Sequence, residues 1–471
     1  MKISISKKLN WSALAIIISL LFVLVTDFQH SLWNNQKRVI VSDVVAYYSY
    51  LPAIFIYNDV SLEFLDNPNV DLGDKFWPKK TPSGGKSITY SSGVAILYSP
   101  FFFLTHLITP YLDYPADGYS IPYKFALVMS SLFYLFIGLF FVRKLLLKYY
   151  SQIVTAITIL VLVLGTNLLY YTTIEAPMSH SYSFAMIAAF LYLTDRWYVK
   201  PKVSTTVFIG LLAGIISLVR PTNVLVGILF ILWQITSWED LRERVTLLLK
   251  KWPHLLIMIF AAILIWVPQF LYWKLVAGQY FYYSYPDDQG FFFTNPQILN
   301  VLFSWRKGFI TYVPIMMFAI IGFGILYRQK RGLFWPIAVF FLSSLYLTSC
   351  WWDWWYGGGL SIRPFIDSYS VFAIGIASFL TWLGNQKNWL KTGCFTLFLL
   401  FALLGYKHNT RYYNGSIHWV SMTKEAYFDS FWTDKPSKTF NEKLRHPDYK
   451  LAKKGIYKTG NELPGYNKKK K

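Results

Sequence analysis

The sequence predicts an all-α polytopic membrane protein of about eleven spans. Three observations carry that expectation. Of 471 residues, 55% are hydrophobic and only 15% are charged. The apolar residues fall in runs near 20 long, the length a helix needs to cross a bilayer core. Lys and Arg collect in alternate short loops, as the positive-inside rule requires. Mean hydropathy is +0.36, which excludes a disordered chain and an ordinary soluble domain.

The first run, Trp11 to Thr26, follows Lys2, Lys7 and Lys8 and has no small-residue cleavage site after it, so it reads as a retained span. Further spans are expected at 125–142, 152–170, 181–194, 203–219, 222–237, 255–276, 309–327, 333–349, 365–384 and 391–406. Segment 93–112 is also long and apolar. If it crossed, Arg143, Lys144 and Lys148 would move outside and every later loop would invert. The charge rule therefore puts it on the outer side, lying on or dipping into the membrane.

With that topology the inner segments hold eighteen Lys or Arg against four acids, and residues 407–471 carry a net +9. The total of +21 is thus a topology signal plus a basic tail. No nucleic-acid motif accompanies it. The N-terminus is expected inside and the tail outside. Two domains are read: a membrane domain, 1–406, whose 28–124 region holds a large first outer loop with interfacial helices, and the outer tail, 407–471.

The outer loops hold the unusual residues. Asp43, Tyr47 and Tyr50 recur at i, i+4 and i+7, one helix face that Pro52 closes or kinks. A general base and a helix cap over an aromatic belt both fit Asp43. Tyr48 stands beside them. Residues 59–74 are acidic but miss calcium-loop spacing. Glu175 and His180 sit in a short loop between spans, where an acid at the membrane boundary is costly to bury. Arg220 and Arg306 add cations. The turn CWWDWWYGGGLSIRPF combines Trp352, Asp353, three glycines and Arg363. Glycines admit a ligand close to the backbone, aromatic rings stack on sugars, and arginine forks phosphate. Span interiors are nearly charge-free, which argues against a permeation pathway. Cys350 and Cys394 lie at opposite ends of different spans and do not suit a disulfide.

Asp43 in SDVVAYYSYLP, Tyr90, Gly93, Ser99 and Pro100, the outer acid Glu175, and Trp351 to Arg363 together form a pattern. It resembles the bacterial GT-C-fold membrane glycosyltransferases, related to protein O-mannosyltransferases and the lipid A aminoarabinose transferase. The resemblance implies transfer of a sugar from a polyprenyl-phosphate-linked donor to a glycan, lipid or protein hydroxyl on the outer face of a bacterial inner membrane. It implies Asp43 as base or organiser, with Glu175 assisting it or the two acids sharing a divalent cation (Mg or Mn). Arg220, Arg306 and Arg363 are then phosphate contacts, and Tyr47, Tyr48, His180, Trp352 and Asp353 substrate contacts. Two departures stand out: Val44 takes the place of a paired acid, and Tyr98-Ser99-Pro100 replaces the basic or His-containing Pro-Pro signature. Rival readings are an O-antigen-type ligase or polymerase and a glycolipid transporter or flippase.

Overall fold

A computed structural model describes residues 10–66, 78–457 and 463–464. Lys2, Lys7 and Lys8, most of the acidic stretch beyond Asp66 and the terminal lysine run lie outside the described residues.

The chain is a polytopic helical membrane protein. Helix α1, Trp11–His30, leads to two short helices, α2 (Asp43–Tyr48) and α3 (Tyr50–Phe55), then α4 (Gly93–Ile108) and α5 (Ile121–Leu146). Next come α6 (Gln152–Leu164), α7 (Ser179–Val199), α8 (Val203–Val219), α9 (Val226–Leu232), the polar-faced α10 (Trp238–Lys250) and α11 (Trp252–Ala277). Short α12 (Ile298–Phe303) and α13 (Phe309–Tyr312) precede α14 (Met316–Gln329), α15 (Arg331–Ser349), α16 (Tyr369–Gly384) and α17 (Asn388–Tyr413). The tail adds α18 (Lys424–Asp429) and α19 (Tyr449–Ala452). Among the described residues, seven helical segments are long and apolar enough to span a bilayer, and four apolar ones are shorter.

Every expected span contains helix, but three are interrupted. Segment 152–170 stops being helical at Leu164, and Gly165 caps it. Segment 309–327 breaks at Val313, ahead of Pro314, whose ring disfavours helix in the residue before it. Segment 222–237 is a five-residue 3-10 turn followed by the seven residues of α9. Conversely, α17 runs past residue 406 to Tyr413, so the tail begins as a continuation of the last helix.

Loops segregate to two faces. Helices α5 and α7 run parallel: Ser131 meets Ser181, Ser130 meets Tyr182, and Gly138 packs on Phe184. Their shared C-terminal end is tied by Asp195, which accepts hydrogen bonds from Lys148, Tyr149 and the Trp233 indole. The other face carries Asp43, Glu175, Arg220, the Gly-rich turn and the tail; it is called the site face below.

Helix α4 starts and ends on the site face. Ser91, just before it, donates to Leu218 O at the end of α8, and His106 in its last turn meets Tyr123 OH at the start of α5. Its middle dips toward Tyr134, whose hydroxyl donates to Leu97 O. Composition alone would let 93–111 cross; its contacts return it to the face it left.

Candidate active site

Asp43 opens α2 after a strained approach: Val39 and Ser42 take φ values of 73° and 52°, a region few side chains adopt. Its Oδ2 lies 2.8 Å from Arg363 Nη2, and its Oδ1 accepts from Tyr90 OH at 3.0 Å. Tyr47, one turn on, packs against the Tyr90 ring at 4.7 Å, and Tyr285 meets Tyr90 from the loop after α11. The helix is interrupted at Ser49, one turn before Pro52, whose ring nitrogen cannot donate to Tyr48 O. Tyr50 therefore leaves the face shared by Asp43 and Tyr47; its hydroxyl donates to Tyr90 O and its ring packs on Tyr272 of α11.

Arg363 is half-buried beside Asp43, and its Nε has no hydrogen-bond partner. A guanidinium has five N–H donors, so the carboxylate does not exhaust it. The turn that delivers Arg363 is fixed by its neighbours. Lys307 donates to Gly359 O, Leu360 N donates to Tyr171 OH at 3.0 Å, and Asn167 donates to Leu360 O at 2.9 Å. A Cβ at Gly359 would stand 2.5 Å from the Tyr171 hydroxyl oxygen, and Gly357 takes a left-handed φ of 61°, so both positions need glycine.

These groups line a cavity of about 990 Å³. Asp43, Tyr47, Tyr90, Glu175, Arg220 and Arg363 form its charged and aromatic wall, with Trp352 and Asp353 beside them. Beside the cavity runs an apolar groove of about 650 Å³ along α11, and the two share Trp266, Trp273, Tyr282 and Tyr283. The charged cavity thus adjoins a greasy surface on one of the longest and least buried of the spanning helices.

Three ionisable groups at the cavity are shifted toward neutrality by burial. Glu175 is raised to about 7, with no hydrogen bond or ion pair to its carboxylate among the described residues. Asp353 is also raised to about 7. Lys307, enclosed between the Gly turn and the tail and repelled by Arg363, is lowered to about 7.

Several expected contacts fall elsewhere. Tyr48 is fully buried, donates to Gly118 O at 2.6 Å and packs among Tyr98, Phe102 and Tyr119, away from the cavity. Arg306 turns outward: its Nη1 donates to Val420 O at 2.6 Å and Arg445 O at 3.2 Å, making it a clamp on the tail. His180 is fully buried behind the wall, where its Nδ1 meets Asp367 at 2.9 Å. Asp367 also accepts from Asn223 at 2.9 Å and pairs with Arg220 at 3.6 Å. His180 and Asp367 thereby aim Arg220 rather than touch the cavity themselves.

The donor set does not fit the divalent cation expected at Asp43 and Glu175. Each Asp43 oxygen already accepts one hydrogen bond, from Tyr90 and from the Arg363 guanidinium. Among the described residues no group of three or more His, Cys, Asp or Glu gathers.

Sequence reading missed Lys307, Asp367 and the tail's Trp419 and Tyr449, both of which line the cavity. Lys307 follows Arg306 in a tight turn, and a Cβ at Gly308 would lie 2.6 Å from Ser304 backbone atoms. The two cations project oppositely from that turn, which composition does not reveal.

No protein-family model and no curated protein matches the chain. Among solved structures it is similar to the Archaeoglobus fulgidus oligosaccharyltransferase in the apo form, at TM-score 0.49 and 12% identity over 99% of this chain and 62% of that one. It is also similar to the archaeal oligosaccharyltransferase AglB from Archaeoglobus fulgidus in complex with an inhibitory peptide and a dolichol-phosphate. There the TM-score is 0.47 and the identity 11%, over 91% and 58% of the two chains. The chain thus spans about three fifths of the length of these archaeal proteins. Likenesses this distant do not speak for its chemistry, which has to come from its own residues.

Proposed function

We propose that the protein is a membrane glycosyltransferase of GT-C type. It moves a sugar from a polyprenyl-phosphate-linked donor to an acceptor hydroxyl at the outer face of the membrane. The observation that carries this reading is the Asp43–Arg363 pair, set in a cavity that opens onto an apolar groove. A lipid-linked sugar phosphate needs those two environments side by side: a greasy track for the chain and cations for the phosphate.

In this reading the donor chain lies along α11, with its phosphate against the guanidinium groups of Arg363 and Arg220, both of which line the cavity. Asp43, aimed by Tyr90 and Arg363, accepts the proton of the acceptor hydroxyl. The acceptor oxygen bonds to the anomeric carbon, and the carbon–oxygen bond to phosphate breaks with its electron pair passing to the phosphate oxygen. The single displacement inverts the anomeric configuration. Arg363 stabilises charge on the leaving phosphate while Asp43 loses its own, so one ion pair serves both ends of the reaction. Holding the reactants and stabilising the leaving group supply most of the rate gain.

The nearly charge-free span interiors set this reading against a transporter. An envelope ligase or polymerase would place its large loop late in the chain, whereas the longest loop here lies between α1 and α5. The test compares lipid-linked sugars and surface glycans in cells with and without the gene. A transferase leaves its lipid-linked sugar accumulated and one glycan modification missing in the deletion strain. An unchanged surface glycan with solute uptake lost contradicts it.

A further inference from the structure

The cavity has two ends, and the chain builds them differently. One opens on the apolar groove of α11. The other is lined by the tail, through Tyr412, Trp419 and Tyr449. Trp419 remains 48% exposed although it lines the cavity, so one part of its indole is open. Beside it the chain is bare: a Cβ at Gly358 would lie 3.4 Å from Trp419 Cε3.

The ring is held in place by its neighbours. Val420 N and Ser421 N donate to His418 Nδ1 at 3.1 and 3.0 Å, Arg306 clamps Val420 O, and Ser421 Oγ meets His446 Nδ1 at 2.9 Å. Tyr449, from α19, packs on Trp352 and Trp355, and Tyr457 OH donates to Trp352 O at 2.7 Å, so the tail is anchored to the turn that carries Arg363. A fixed, half-open indole beside glycine backbone offers an apolar face and hydrogen-bonding groups at once, the pairing a sugar ring presents in complement. A lipid acceptor would need a greasy approach, and that lies at the opposite end.

We propose that the tail-built end is the acceptor subsite and that it takes a saccharide, stacked on Trp419 with hydroxyls toward the Gly357–Gly358 backbone. This rests on the glycosyl-transfer reading above and extends it to the acceptor.

The experiment uses the full chain in proteoliposomes with a radiolabelled polyprenyl-phosphate hexose as donor. The acceptor probe is the oligosaccharide fraction of a mild-acid hydrolysate of cell-envelope glycan, run beside peptide and lipid fractions. Trp419→Ala removes the platform, Gly358→Leu sets a side chain against its face, and Trp419→Phe restores an aromatic face. Expected is an acceptor KM raised about tenfold or more by the first two, a donor KM held within about twofold, and recovery in the third. An unchanged acceptor KM in both variants, or saturation only by the peptide or lipid fraction, overturns the acceptor assignment alone. Failure of the wild-type protein to release polyprenyl phosphate with any fraction overturns the transferase reading and this inference with it.

Discussion

Asp43 shows how much one residue's role depends on its partner. Alone in a loop, its carboxylate fits a helix start as well as a base. Paired with Arg363 at 2.8 Å and with Tyr90, it has its charge and its direction fixed. Asp43→Asn and Arg363→Ala are each expected to lower sugar transfer at least about 100-fold, with membrane insertion and yield retained. Chelation by EDTA is expected to leave transfer within about twofold, because Arg363 already sets a positive charge beside Asp43. Burial gives a separate prediction. The folded-state pKa of Glu175 is raised from 4.5 to about 7. Between those values the folded protein holds a proton that the unfolded chain has released, so stability is lost as pH rises through that window. Glu175→Gln should therefore raise the thermal midpoint by about 2 °C at pH 8, where the wild type buries a charge, and leave it unchanged at pH 4. Melting curves in detergent at the two pH values decide. At this scale the sequence disclosed residue types but not their directions. Arg220, Arg363, Trp352 and Asp353 reach the cavity wall, while Tyr48, His180 and Arg306, of equal promise by type, are turned into the core or the tail.

At the scale of elements, hydropathy marked where helices run, because the 20-residue bilayer demand is a composition signal. Breaks within them were harder to see, since they depend on neighbours. Pro314 marked the one between α13 and α14, and Gly165, which caps α6 after Leu164, also packs closely: a Cβ at Gly405 of α17 would stand 2.1 Å from Gly165 O. Small residues let membrane helices approach until backbones touch. Helices α14 and α16 meet in this way, with a Cβ at Gly322 only 1.9 Å from Gly375 O, whereas Gly324 on the same helix faces open space. Gly322→Val is expected to abolish the monodisperse peak in size-exclusion chromatography, and Gly324→Val to leave it intact.

Across the whole molecule, loop charge supplied the two-faced arrangement, and contacts at both ends of α4 agree with the surface placement that charge gave segment 93–112. The tail's place over the cavity was not legible, because its basic composition says only that it is solvated, whereas Arg306 and Tyr457 tie it down through backbone oxygens. Topology predicts that a membrane-impermeant maleimide labels Tyr111→Cys and Trp432→Cys from one side of a sealed vesicle and Trp238→Cys from the other. All three positions are strongly exposed. Labelling of Lys37→Cys, exposed ahead of α4, from the side opposite Tyr111→Cys would mean that α4 crosses. The central claim is chemical, and one assay meets it directly. Purified protein in liposomes is given a radiolabelled polyprenyl-phosphate sugar and envelope glycan, and the label is followed. The account predicts polyprenyl phosphate release with label covalently on glycan, lost in Asp43→Asn. Label that crosses the bilayer still attached to its lipid, or accumulates as free solute with no covalent transfer, would contradict it.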